Sequence, residues 1–370
     1  MLGTSLFHYG NKNWIPIWTK GEVSDALKSY ESFAYNKTLR EKRLSQIKGI
    51  SVDSSKKGIY VLIVGESESR THMSVYGYNR ETTPWISSMA KKDGTIVFTQ
   101  PYSNHTHTVP SLTYALSEKN QYNDVSLKDA YSLIEVAKAA GMKTYWISNQ
   151  EKYGSWDTPV AEMASTAEYQ IWINENVGRG TTTAHYDEEL VRRIDELQIA
   201  DNSLVVFHVM GSHGNYGDRY PKEYALFTGE DSIVDEYDNS VRYNDFVLER
   251  IYEKMVQYPN FMSMVVFSDH GEDPDNHKGH ESSKFTPSMS EIPFIAIFSP
   301  RYRMYNEKEY NQLLAHKDNY WTNDLLYNAM VSIMGIEGIP LNEPWLDISS
   351  DSYDRNRENL RTLHGERALP

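Results

Sequence analysis

Six strand-sized runs of β-branched and other apolar residues, at 59–64, 95–99, 143–148, 203–210, 263–268 and 293–298, punctuate this chain. Between several of them lie segments of helical periodicity, at 127–140, 187–198 and 234–257. Runs that are apolar throughout, rather than at alternate positions, belong to strands buried on both faces, and the intervening helices supply the cover. The pattern predicts an α/β fold, a mostly parallel central sheet sandwiched by helices. In such sheets ligands bind beyond the carboxyl ends of the strands. Neither IYVLIVG at 59–65 nor SLVVFHVMG at 203–211 approaches the ~20 residues needed to cross a bilayer. The N-terminus also lacks the charged-then-apolar layout of a signal peptide. The chain therefore reads as a soluble protein or as the soluble part of something longer.

Composition narrows the function. The 370 residues carry a net charge of −14, which leaves no basic field to neutralise nucleic-acid phosphates. There is no cysteine, so disulfides, thiolate zinc sites and cysteine nucleophiles are excluded. Residues 1–57 read as a polar, aromatic-rich arm with a helix over 24–44, and 58–348 as the main domain. The polar stretches 150–186 and 271–290 read as loops that follow strands. The highly charged tail, 349–370, is expected to be disordered.

Chemistry-bearing residues collect at strand ends. Glu66 follows strand 59–64, where a carboxylate serves either as an oxygen ligand or as an acid at a helix N-terminus. Asp269-His270-Gly271-Glu272 follows strand 263–268, an oxygen and an imidazole ligand side by side, with His277 and His280 close behind. His208 ends strand 203–210 and His213 follows it, so five of the twelve histidines gather at two strand ends. For a nucleophile, Thr106, Thr108 and Ser111 all stand at the start of a helix, where backbone N–H groups and the dipole can hold a phosphate. A divalent metal would turn such a hydroxyl into an alkoxide. No Gly-x-Ser-x-Gly elbow, Walker loop or Gly-x-Gly-x-x-Gly is present, against serine hydrolase, ATP and dinucleotide readings.

Five segments, in order, resemble the phosphoethanolamine transferases of Gram-negative envelopes, in the alkaline phosphatase and sulfatase superfamily. They are GESESRTHMSVYGYNRETTPW at 65–85, THTVPSLTYALS at 106–117, HVMGSHGNYGDRYP at 208–221, YDNSVRYNDFVLERI at 237–251 and VVFSDHGE at 265–272. The family includes lipid A modifying enzymes that confer polymyxin resistance. The resemblance implies that Glu66, Asp269 and His270 hold zinc together with the threonine nucleophile. That nucleophile falls on Thr108, with Thr106 as the alternative. His213 and His280, the latter preferred over His277 on spacing, would contact the phosphoryl group or a second zinc. Asn149 and Gln150 fall near a position that contacts the ethanolamine phosphate. The donor implied is phosphatidylethanolamine, and the acceptor is lipopolysaccharide or another envelope glycan. The place implied is the periplasmic face of the inner membrane, with a membrane-spanning region outside this chain. The alternatives on the same metal site are a phosphoglycerol transferase or a phosphodiesterase, and beyond those an inactive binding domain. A sulfatase in the strict sense is disfavoured, because the Cys/Ser-x-Pro-x-Arg sequence that yields its aldehyde is missing from 100–120.

Overall fold

The computed structural model describes residues 38–150, 158–174 and 185–370. Most of the expected helix 24–44 and parts of the stretch 150–186 lie outside the described residues. The first helix, α1, occupies 38–46.

The strands in chain order are β1 (Ser51–Val52), β2 (Ile59–Gly65), β3 (Thr95–Val97), β4 (Gln100–Tyr102), β5 (Lys143–Ser148), β6 (Tyr169–Trp172) and β7 (Ser203–His208). They continue with β8 (Phe261–Ser268), β9 (Phe294–Phe298), β10 (Tyr320–Thr322), β11 (Ile336–Glu337), β12 (Arg361–Thr362) and β13 (Arg367–Ala368). Seven of them form the central sheet, in the order β3-β9-β8-β2-β7-β5-β6. Its pairs are parallel except that β9 runs against both β8 and β3.

The uninterrupted apolar runs are explained by two cores. Tyr60, Leu62 and Val64 of β2 point into one, and Ile59, Val61 and Ile63 into the other. The first core is covered by α3 (Thr108–Ala115), α4 (Leu133–Ala139) and α10 (Leu326–Ile333). The second is covered by α2 (Pro84–Met89), α6 (Glu188–Ile194) and α7 (Ser232–Met255). The remaining helices are α5 (Thr158–Ala164), α8 (Pro300–Tyr305) and α9 (Glu307–Ala315).

Two expectations are corrected. The stretch 150–186 is not simply a loop, since it carries α5 and the edge strand β6. The charged tail is ordered. Leu360 and Leu369 enter the first core, and β12 and β13 pair as an antiparallel hairpin.

Candidate active site

β2 and β8 are parallel neighbours in register from Val61 opposite Met264 to Gly65 opposite Ser268, so the loops that follow them leave the sheet together. Glu66 and Asp269-His270 are the first residues out, and all three are fully buried. One ligand atom from each lies within 4.8 Å of the others. His270 Nε2 is 3.5 Å from Glu66 Oε1 and 3.3 Å from Asp269 Oδ2. Thr108 opens α3 at the same point. Its Oγ1 is 3.3 and 3.2 Å from the two Glu66 oxygens and 3.4 Å from His270 Nε2.

Backbone and hydroxyl donors set these groups. Asp269 Oδ1 accepts from the Ser67 amide, the His270 amide and the Ser268 hydroxyl. Its other oxygen, Oδ2, is buried without a hydrogen-bond donor. His270 Nδ1 donates to Gly271 O at 2.9 Å, which leaves the Nε2 lone pair facing the carboxylates. Gly211, at φ 52°, lets the loop after β7 close on this cluster, because a Cβ there would stand 2.6 Å from Glu66 O. Two carboxylates, an imidazole lone pair and a hydroxyl around an orphaned carboxylate oxygen are a donor set that fits a divalent cation such as zinc.

His270 belongs to a second group with Glu272 and His280. His280 Nδ1 lies 2.5 Å from Glu272 Oε1, and Tyr216 OH donates to Glu272 Oε2 at 2.9 Å. Burial pulls the His280 pKa down, but the Glu272 charge and hydrogen bond outweigh it and the net shift is upward. Burial depresses two further imidazoles: His213 to about 3, with Arg219 adding to the effect, and His107 to about 2, with His280 adding. His270 is also lowered, chiefly by burial.

Most of the residues singled out in the sequence meet here. Of the three candidate hydroxyls, it is Thr108's that reaches Glu66. Thr106 Oγ1 faces His107 Nδ1 at 3.3 Å, and Ser111 Oγ donates to Asp269 O at 2.6 Å. His213 feels the charges of His280, His270 and Asp269. His277 does not join them. It is half exposed and binds Asp231, the N-cap of α7, at 2.7 Å. His208 packs beside Trp146 and Ser148. Asn149 and Gln150 have scaffolding contacts: Asn149 Nδ2 donates to Asp187, which in turn accepts from the Met210 and Gly211 amides, and Gln150 donates to Val209 O. An open cavity of about 350 Å³ lined by Ser74, Tyr78, Arg80 and Lys91 contains none of these residues.

Sequence reasoning missed Glu272 as a partner of His280, although it stands two residues past His270. It also missed Asn323, whose Nδ2 donates to Asp269 O at 2.8 Å and Ser111 Oγ at 3.1 Å. No sequence signal marks that residue.

A mostly parallel sheet with acidic and histidine side chains at adjacent strand ends, facing a hydroxyl at a helix start, defines the alkaline phosphatase and sulfatase class of fold. The chain belongs to the sulfatase family, which it matches over residues 59–336. It is 28% identical over 315 residues to phosphoethanolamine transferase EptC of Escherichia coli, covering 80% of this chain and 51% of that protein. It is 26% identical to phosphoethanolamine transferase CptA of Salmonella typhimurium, again covering 80% of this chain and 51% of the relative. The chain thus spans about half the length of the curated relatives it matches. The solved C-terminal periplasmic domain of Escherichia coli EptC, in complex with zinc, superposes with a TM-score of 0.76 at 26% identity. That superposition covers 87% of this chain and 96% of the domain. Among the described residues no helix is long and apolar enough to cross a membrane.

Proposed function

We propose that this chain is the catalytic part of a zinc-dependent phosphoethanolamine transferase. It takes phosphoethanolamine from phosphatidylethanolamine and passes it to lipopolysaccharide or another envelope glycan, at the periplasmic face of a bacterial inner membrane. The observation that carries the reading is the convergence of Thr108 Oγ1 on the Glu66 carboxylate and His270 Nε2. The relatives' names support the group transferred, and the zinc complex of the neighbouring domain supports the metal. Glu66, Thr108, Asp269 and His270 would hold one zinc ion; Glu272 and His280, with His213 nearby, would be the side chains left to offer to a second.

When bound, zinc lowers the pKa of a coordinated hydroxyl and offsets charge on phosphoryl oxygens. Glu66 and the start of α3 orient Thr108 Oγ1 for attack on phosphorus. The Oγ1–P bond forms as the bond from phosphorus to the diacylglycerol oxygen breaks. The Thr108 proton passes to the Glu66 carboxylate to which it already donates. With a single zinc bound, His280, its proton affinity raised by Glu272, is free to give a proton to departing diacylglycerol. An acceptor hydroxyl then attacks the phosphoethanolamine–threonine from the vacated side and gives its proton to the now neutral His280, while the Oγ1–P bond breaks and Glu66 returns its proton to Thr108 Oγ1. An acceptor phosphate has no proton to give, and His280 then regains one from water.

The donor is tested with the zinc-loaded protein and vesicles of phosphatidylethanolamine or phosphatidylglycerol, measuring diacylglycerol release. Release from phosphatidylethanolamine alone is expected. Release from phosphatidylglycerol instead would make the protein a phosphoglycerol transferase.

A further inference from the structure

The turn of the C-terminal hairpin holds Leu363 at φ 50° and His364 at φ 51°, ahead of Gly365 at 94°. Two successive non-glycine residues in the left-handed region persist only where their surroundings over-determine them. The surroundings here are the segment that carries Thr108. The His364 amide donates to Asn104 O at 3.0 Å, and the Thr362 hydroxyl donates to Ser103 O at 2.8 Å. The His364 ring stacks on Tyr114 of α3, with centroids 3.9 Å apart and planes 10° from parallel.

His364 Nε2 lies 3.0 Å from Asn104 Oδ1 and 3.1 Å from Pro110 O. Asn104 Nδ2 is committed to Ser111 O and Asn323 Oδ1, which leaves Oδ1 as the acceptor toward His364. Both neighbours of Nε2 are therefore acceptors, and this nitrogen is the N–H donor shared between them. The bonds continue inward. Asn323, which accepts from the Asn104 amide at 2.8 Å, donates to Asp269 O. On the other edge of the hairpin, the Arg367 guanidinium stands over the Phe285 ring at 4.2 Å, so the hairpin reaches the segment beyond His280 as well.

We infer that His364 is a positioning residue: it pins Asn104 and Pro110 on either side of Thr108 and so sets the direction of the Thr108 hydroxyl. The inference deepens the proposed function and rests on Thr108 as nucleophile. It predicts that the tail is part of the reaction machinery although it touches no reacting atom.

The test compares wild type with His364→Ala and His364→Gln, the second keeping an N–H at the end of the side chain. Hydrogen exchange by mass spectrometry on the metal-free protein reads the segment 103–112. Diacylglycerol release by the zinc-loaded protein gives kcat and KM. In His364→Ala, exchange in 103–112 should quicken about tenfold while 59–65 and 261–268 stay protected. In the same variant kcat should fall about tenfold with KM within about twofold, as for a misdirected nucleophile. His364→Gln should restore most of both. Unchanged exchange in 103–112, equal loosening of the central strands, or faster exchange with a normal kcat would each overturn the assignment. A Thr108→Ala protein that keeps its activity would instead refute the nucleophile, and the exchange result would still report on His364.

Discussion

The Ser67 amide donates to Asp269 Oδ1 at 3.0 Å across 202 residues of sequence, and fastens the acidic loop after β2 to the one after β8. The same residue donates its hydroxyl to Glu66 Oε1 at 2.7 Å, so one serine orients both carboxylates. It does so from φ 59°, a left-handed conformation that the Tyr237 hydroxyl helps to hold by donating to Ser67 O at 2.8 Å.

Removing that hydroxyl leaves the ligands in place but less well aimed. Ser67→Ala is expected to weaken zinc binding about 10- to 100-fold, the usual effect of losing a group that orients ligands. Calorimetric zinc titration checks it. Ser67→Val should in addition lose about 1–3 kcal/mol of stability, because a β-branched residue resists this φ. An unaltered zinc affinity in Ser67→Ala would show that Glu66 needs no such support.

Asp269 Oδ2 is a buried carboxylate oxygen without a donor, placed 3.3 Å from the His270 Nε2 lone pair. An amide at this position would keep the three bonds to Oδ1 and offer an N–H to His270. Asp269→Asn is therefore expected to stabilise the metal-free protein by about 1–3 kcal/mol while abolishing the stabilisation that zinc gives. Thermal unfolding with and without zinc reads both effects. A destabilised apo variant would mean that the site is not poised for a cation.

The sheet was legible because buried strands must be apolar throughout, and β2, β7 and β8 are. The direction of β9 was not, since an apolar run carries no polarity of its own. β6 escaped notice because Tyr169–Trp172 is a half-exposed edge strand. Charge suggested a disordered tail, yet Leu360, Thr362 and Leu369 are buried there, and a few buried residues suffice to order a short hairpin. In the site, Glu66, Asp269 and His270 stood out by position just beyond apolar strands. Asn104 meets Asn323 and His364 across 219 and 260 residues of sequence, and such pairings leave no local trace.

Glu118 gives a pH-dependent stability. Burial first of all, with Glu343 and Glu135 adding, outweighs the bond from the Tyr131 amide and raises its pKa from 4.5 to about 7. The native state thus binds more protons than the unfolded chain between these values. Its contribution to stability is complete below pH 4.5 and is lost as pH rises through about 7. Glu118→Gln removes this loss, so its advantage over wild type should grow from pH 5 to pH 8, reaching on the order of 2 kcal/mol. Urea midpoints at the two pH values measure it, and a gap independent of pH would contradict the shift.

The central claim is that phosphoethanolamine is carried on Thr108. The most direct measurement is the intact mass of wild type and Thr108→Ala after incubation with zinc and phosphatidylethanolamine, followed by peptide mapping. The account predicts a single phosphoethanolamine adduct on Thr108 in the wild type and none in the variant. An adduct that persists in Thr108→Ala would contradict it and move the nucleophile to Thr106 or Ser111.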